Sequence, residues 1–275
     1  LVSEKVAMTI SQGIVNICLE MYVIMAALIG AIIWNLFTWW RGIPSSSSHA
    51  LIGGLIGASI VYTAGTENII WSGVFEKVVV PLFTSPIMGF LIGFLFMKSI
   101  FKIFIKWSQR KVNKVFLKLQ IFSSAFVAFS HGNNDAQKTM GIITLALITG
   151  GILDESTGVP LWVKFTCAIT MALGTSLGGW KIMKTMGGSV TKLEPSSGFA
   201  AQTTSAIVIE SMTFFGAPVS TTQVITTSIM GVGSAKRVTS VKWGIAQNIA
   251  VAWILTLPVA MILGGCACWL IGYMV

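Results

Sequence analysis

Charge is what this 275-residue chain has least of: Asp, Glu, Lys and Arg make up 10% of it, whereas a soluble domain carries roughly 25%. Nine side chains are acidic and two are His. So little charge cannot cover an ordinary water-facing surface, and it leaves few groups for acid–base chemistry. No phosphate-binding Gly-rich Lys loop and no HExxH pair is present, so the usual routes to nucleotide hydrolysis and zinc proteolysis are missing. Cysteine is equally sparse. Cys18, Cys167, Cys266 and Cys268 lie in or beside apolar runs, and the one C-x-C pair has neither the spacing nor the His partners of a zinc site, so they read as reduced packing residues, with no metal site and no cofactor.

Apolar residues fill the space that charge leaves. They amount to 54% of the chain, and its mean hydropathy is +0.83. The runs Tyr22 to Trp40, Val78 to Met97, Phe122 to Ile148, Leu161 to Trp180, Ser205 to Val232 and Trp243 to Met274 each approach or exceed the roughly 20 residues that cross a bilayer as helix. The expected fold class is an all-α polytopic membrane protein with about seven to nine crossing or re-entering segments. Trp39, Trp40, Trp107 and Trp180 fall near span ends, where indoles favour the interface.

A net charge of +9 could suggest nucleic acid, but its distribution speaks for a membrane. Lys98, Lys102, Lys106, Arg110, Lys111, Lys114 and Lys118 fall in one stretch without an acid, directly after an apolar run. By the positive-inside rule this is a cytoplasmic loop. Lys181, Lys184, Lys192, Lys236, Arg237 and Lys242 then belong to the same side, and Asp154 with Glu155 to the outside. The expected organisation is residues 1–105 as one repeat, 106–118 as a basic loop and 119–275 as a second repeat.

Two short stretches are copies of each other. Gly42-Ile-Pro-Ser-Ser-Ser-Ser-His49 and Gly216-Ala-Pro-Val-Ser-Thr-Thr-Gln223 both place three hydroxyl residues after a Gly-x-Pro turn and before an apolar run. Each reads as a helix start, where unpaired amides and hydroxyls hold an anion. Residues 193–235 leave a basic loop and return to one, so their two apolar runs should form a hairpin that re-enters the membrane, tolerated only where the broken backbone lines a cavity. Residues 22–60 form the matching hairpin from the opposite face, since Glu67 and Glu76 follow it with only Lys77 against them. Such inverted repeats with discontinuous helices are the architecture of many secondary transporters. Gly53, Gly54 and Gly57 make a small-residue face suited to close helix packing.

Within the run that follows the basic loop lies Ser130-His-Gly-Asn-Asn-Asp-Ala-Gln-Lys138. An ionisable group near mid-membrane is costly unless paired or hydrated, so Asp135 and Lys138, on one face if the segment is helical, are functional candidates. An ion pair between them that only joins helices is the plainer reading, although Asn133, Asn134 and Gln137 offer more ligand atoms than that requires. His131 and Asp135 could also serve a membrane phosphatase or transferase as base and orienter. A channel or a sulfate carrier could use the same hydroxyl cradle.

His131 to Lys138, Trp39 to Ala50 and Gly216 to Thr222, together with Gly198-Phe-Ala-Ala-Gln202 and Ile229 to Arg237, resemble the inorganic phosphate transporter family in its low-affinity bacterial branch, and the resemblance covers nearly the whole chain. It implies uptake of inorganic phosphate, free or as a metal complex, driven by a cation gradient across the cell (inner) membrane, with the ligand held between inverted repeats. Ser46, Ser47, Ser48, Ser220, Thr221, Thr222, Asn134 and Gln137 would then hold phosphate, while Asp135 with Asn134 takes the coupling cation. Asn133 is a further candidate. His49 has Gln223 as its counterpart where the family has His again, so a His is not needed on both sides; as a neutral donor either could hold a phosphate oxygen or make a helix-packing hydrogen bond. Lys138 stands where the sodium-coupled branch tends to a small residue, which favours protons over sodium as the coupling cation. Arg41, at the expected hairpin tip, could attract phosphate to an outer vestibule or simply snorkel. The partners implied are phosphate and the lipid bilayer, not nucleic acid, and a homo-oligomer stays open. Asp135 precedes Pro218 by 83 residues, so the first-repeat copy of the Asn-Asp motif is expected near position −39, in an N-terminal part that this sequence does not include.

Overall fold

The computed structural model describes residues 3–15 and 19–274; Cys18 and the side chain of Lys181 lie outside the described residues. In chain order the helices are α1 (Lys5–Gln12), α2 (Met21–Arg41), α3 (Ser47–Thr63), α4 (Trp71–Val74), which continues through a π-turn into α5 (Val80–Ile103), α6 (Gln109–Thr149), α7 (Leu161–Gly178), α8 (Trp180–Lys184), α9 (Pro195–Phe214), α10 (Thr221–Lys236) and α11 (Trp243–Gly272). Among the described residues there is no strand, only one bridge between Val15 and Ile69.

Among the described residues, five helical stretches are long and apolar enough to cross a membrane: Met21–Arg41, Trp71–Ile103, Gln109–Thr149, Leu161–Gly178 and Trp243–Gly272. Their outer faces leave Phe83, Leu95, Phe122, Ile169 and Ile254 half or more exposed, a surface that only lipid solvates without cost. At 41 residues, α6 is roughly 60 Å long, about twice the hydrocarbon core, so its basic first turns reach beyond the bilayer. This corrects the expected loop at 106–118. Lys102 lies in the last turn of α5, Arg110, Lys111, Lys114 and Lys118 lie in α6, and only five residues separate the two helices. From Gln109 onward nothing in the basic stretch breaks the helix, since it lacks Pro and Gly and Lys and Arg are good helix formers.

The two repeated stretches form matching helical hairpins, α2–α3 and α9–α10. Each first helix ends on a left-handed glycine, Gly42 with φ 68° and Gly216 with φ 71°, a conformation that penalises any side chain with a Cβ. The same paired bonds close both ends: Ile43 and Gly42 N–H donate to Thr38 and Trp39 carbonyls, and Ala217 and Gly216 N–H to Met212 and Thr213. Ser46 and Ser220 then cap the second helices, their Oγ atoms accepting from the amides of His49 and Gln223 at 3.2 and 3.3 Å. At the opening of α9, Pro195 occupies the first turn behind a capping box between Glu194 and Ser197.

Equivalent contacts recur around the hairpins. Ile70 N–H donates to Ile14 at 3.0 Å and Lys242 N–H to Val190 at 3.0 Å. The helices that follow each hairpin exchange places: α11 lies against α3, and α5 against α10. Glycine permits both crossings. A Cβ on Gly57 would stand 1.9 Å from the carbonyl oxygen of Met261, and one on Gly231 would stand 2.1 Å from that of Phe90. Gly53 and Gly54 likewise meet the backbones of Leu257 and Ala27, so the expected small-residue face is a packing face.

Candidate functional site

The tips of the two hairpins meet inside the bundle, beside the middle of α6. Ser48 Oγ, in the first turn of α3, donates to the carbonyl of Val219 in the second tip at 3.0 Å. Lys138 Nζ donates to the same carbonyl at 2.8 Å. The carbonyl of Pro44, in the first tip, accepts from Trp253 Nε1 at 2.9 Å. Broken backbone at this depth is thus satisfied by protein groups, which is the condition for such a break within a membrane.

Helix α6 passes this junction without interruption, its polar motif included. Its polar side chains find partners on neighbouring helices, so the helix backbone keeps its own bonds. Asp135 is held at both oxygens. Lys138 Nζ lies 2.5 Å from Oδ1, His131 Nε2 lies 2.9 Å from Oδ2, and Thr221 Oγ1 approaches Oδ2 and Oδ1 at 3.2 and 3.4 Å. Lys138 is 4% exposed. The plainer reading of Asp135 and Lys138 as an ion pair therefore holds geometrically, and the pair also anchors the second hairpin to α6 through Val219 and Thr221.

The amides of the motif point elsewhere. Asn134 Nδ2 donates to Thr213 Oγ1 at 2.7 Å, and Asn133 Nδ2 to Glu210 Oε1 at 3.3 Å. Gln137 Oε1 accepts from the backbone amide of Val6 at 3.1 Å, and its Nε2 donates to Asn133 Oδ1 at 3.3 Å. The sequence alone did not single out Glu210 and Thr213. Their spacing of three on one helix face, with Glu210 the sole acid in the α9–α10 hairpin, was the available signal.

The six hydroxyls do not behave alike. Ser46 and Ser220 cap helices, Ser48 and Thr221 are buried in bonds to Val219 and Asp135, Ser47 is exposed, and Thr222 is half-buried. Thr222 and His131 stand on the wall of a cavity of about 1140 Å³ that extends along α6 and α7 past Gln202 to Leu193, beside Lys192. His49 and Gln223, both about 1–2% exposed, each keep one side-chain atom unpartnered, Nδ1 and Oε1 respectively. Arg41 stands away from the residues that meet at this junction. It is exposed, with its guanidinium over the rings of Trp40 and Phe37, because its helix ends there on Gly42 and the tip turns inward without it.

Over residues 1–264 the chain matches the sequence profile of the phosphate transporter family. It is 47% identical over 265 residues to a probable low-affinity inorganic phosphate transporter of Bacillus subtilis (strain 168), covering 95% of this chain and 79% of that protein. A probable low-affinity inorganic phosphate transporter of Rhizobium meliloti (strain 1021) is 46% identical over 259 residues, covering 94% and 77%. In three dimensions the chain is similar to a solved structure of the sodium-dependent phosphate transporter, with a TM-score of 0.85, 24% identity, and coverage of 98% of this chain and 86% of that one. At that identity the likeness establishes the fold, an all-helical polytopic one.

Proposed function

We propose, from the premise that this chain belongs to the phosphate transporter family, that it is a multi-pass carrier moving inorganic phosphate together with a cation by alternating access, and that it is not an enzyme. The observation that carries this reading is the meeting of two like hairpin tips beside Asp135. Two helix N-termini, at Ser47 and Thr221, open toward one junction, and each supplies roughly half a positive charge and free amide donors to an anion. Hydroxyls of Ser46, Ser47, Ser48, Ser220, Thr221 and Thr222, with Asn134 and Gln137, add donors without full charge. Such a cradle releases its anion readily, as turnover requires. The two repeats, residues 1–105 and 119–275, would rock about this junction in inverted orientation.

Asp135 is the coupling group in this reading, and protons are its cation. A sodium ion at Asp135 would have to displace the Lys138 ammonium at 2.5 Å. A proton needs no such space, and His131, bonded to Asp135 and bordering the cavity, offers it a route. The cavity beside Thr222 and His131 is the matching path for phosphate toward the basic side. The test is uptake of labelled phosphate into proteoliposomes containing the full-length protein, under an imposed proton or sodium gradient, with excess sulfate as competitor. Proton-driven uptake that sulfate does not inhibit is the expected result. Sodium dependence would keep the carrier and remove this account of Lys138; uptake under neither gradient would remove the carrier.

A further inference from the structure

Each hairpin bend is held by a side chain from the other half of the chain. The last carbonyls of a helix find no amide within it, and three in succession at the end of α9 are met from outside the hairpin. Lys5 Nζ donates to Phe214 at 3.0 Å, Lys77 Nζ to Phe215 at 3.2 Å and Thr9 Oγ1 to Gly216 at 2.8 Å. At the end of α2 the carbonyl of Gly42 accepts from Thr185 Oγ1, in the turn after α8, at 3.1 Å.

Thr9 and Thr185 occupy one position of the repeat. Thr9 stands five residues before Ile14 and Thr185 five before Val190, and those two carbonyls accept the equivalent bonds from Ile70 and Lys242. Each threonine therefore lies on the segment that leads into its own hairpin and bonds the left-handed glycine of the opposite one. A bend that needed only a satisfied carbonyl could take its donor from within its own hairpin, as the amides of His49 and Gln223 take Ser46 and Ser220 as acceptors.

The two bonds lie toward opposite faces. Helix α1 is tied to the acidic connection after α6, by Glu4 to the amide of Val159 and by Gln12 to the carbonyl of Glu155, whereas Thr185 falls in the stretch between Lys184 and Lys192. Thr9 and Gly216, with Lys5 and Lys77, line a cavity of about 500 Å³. Met183 and Met186, on either side of Thr185, line the larger cavity that reaches Thr222. Within a membrane a carbonyl can leave its protein donor only where water replaces it, so breaking either bond and hydrating that side are one event. Thr9 gives up its bond at little loss, since its single proton also has the carbonyl of Lys5 within reach at 3.0 Å. Charge distinguishes the two faces. Lys77 stands seven residues after Ile70, and the residue seven after Lys242 is Ile249, apolar and buried.

We infer that Thr9 and Thr185 are paired positioning residues of the transport cycle, Thr9 closing the outer side on Gly216 and Thr185 the basic side on Gly42, and that Lys77 weights the pair toward closure outside. This rests on the carrier reading above.

The experiment is exchange of labelled phosphate in right-side-out and inside-out membrane vesicles containing the full-length protein, with half-saturation measured at each face while the other is saturated. The half-saturating concentration at a face varies inversely with the fraction of molecules open to it, and one hydroxyl bond shifts that fraction about threefold to fivefold. Thr9→Val should lower half-saturation at the outer face by that factor and raise it at the inner face. Thr185→Val should do the reverse, and Thr→Ser at either position should keep the unaltered values. Lys77→Met should shift the outer value in the same direction as Thr9→Val, and it carries the outer test if Thr9→Val does not fold. Changes of the same sign at both faces, or no change in Thr9→Val and Thr185→Val, would overturn the pairing, because lost packing acts on both faces alike. Absence of exchange by the unaltered protein would remove the carrier reading and the pairing with it.

Discussion

The two hairpins share a tip but not its use. Both turn on a left-handed glycine, both cap the next helix with a serine, and both rest on a glycine-lined crossing with the long helix of the other half. Yet Thr221 binds Asp135, whereas its counterpart Ser47 is exposed; Thr222 borders the large cavity, whereas its counterpart Ser48 is buried against Val219. The second tip is held by a buried ion pair, through Thr221 on Asp135 and Val219 on Lys138. The first is held by neutral groups, Trp253 and the second tip itself. Duplicated sequence thus sets the backbone, and the side chains that face it set which copy handles charge.

The sharpest way to break this asymmetry is Asp135→Asn. It removes the anchor of the second tip and leaves Lys138 buried without its partner, a loss of about 3–5 kcal/mol in comparable pairs. Coupled uptake should fall by roughly a hundredfold or more, which corresponds to about 2.7 kcal/mol. The double variant Asp135→Asn with Lys138→Met should recover folded protein by size-exclusion and thermal melting but not uptake. Normal accumulation in either would take Asp135 out of the mechanism.

Next in size are the two hydroxyl runs. Replacing Ser220, Thr221 and Thr222 by Ala removes a cap worth about 1 kcal/mol and the contact to Asp135. It should stop uptake or raise the KM for phosphate by roughly tenfold or more, the scale of one lost charge-assisted bond. The same change at Ser46, Ser47 and Ser48 should have the smaller effect. Equal kinetics in the two triple variants would mean that the tips are functionally equivalent after all.

Gly57→Ala and Gly231→Ala examine the shared part. Each forces a methyl group onto backbone across a helix crossing, at a cost of about 1–3 kcal/mol, so both should lower the melting temperature to a similar degree. A shift in only one would show that the crossings are not equivalent. The smallest effect belongs to Arg41→Gln, which should change uptake by less than about twofold, as for an exposed cation stacked on its own helix. A larger loss would return Arg41 to the phosphate path.

Much of the molecule was legible in order. Periodic apolar runs gave most of the spans, and the Gly-x-Pro-hydroxyl repeat gave both hairpins. The extent of helix at the basic stretch was less legible, because positive charge marks a side of the membrane and not a break in the backbone. Asp135 and Lys138 could be flagged as costly residues at the right spacing, but their use could not. Glu210 was marked only as the sole acid of an apolar hairpin, which flags a costly residue but not its partner Asn133.

By itself, then, the sequence determined that the chain lives in a bilayer, that it contains two like hairpins with serine-capped second helices, and that polar groups interrupt one span. These follow from hydropathy, turn chemistry and capping, all local along the chain. Only the tertiary structure decided that the two tips touch, that Lys138 spends its charge on Asp135 and Val219, that Arg41 stays exposed, and that Glu210 and Thr213 meet Asn133 and Asn134 respectively. Those outcomes depend on which helices cross and at what depth, and the crossings are governed by contacts such as Gly57 on Met261 and Gly231 on Phe90, between residues far apart in the chain.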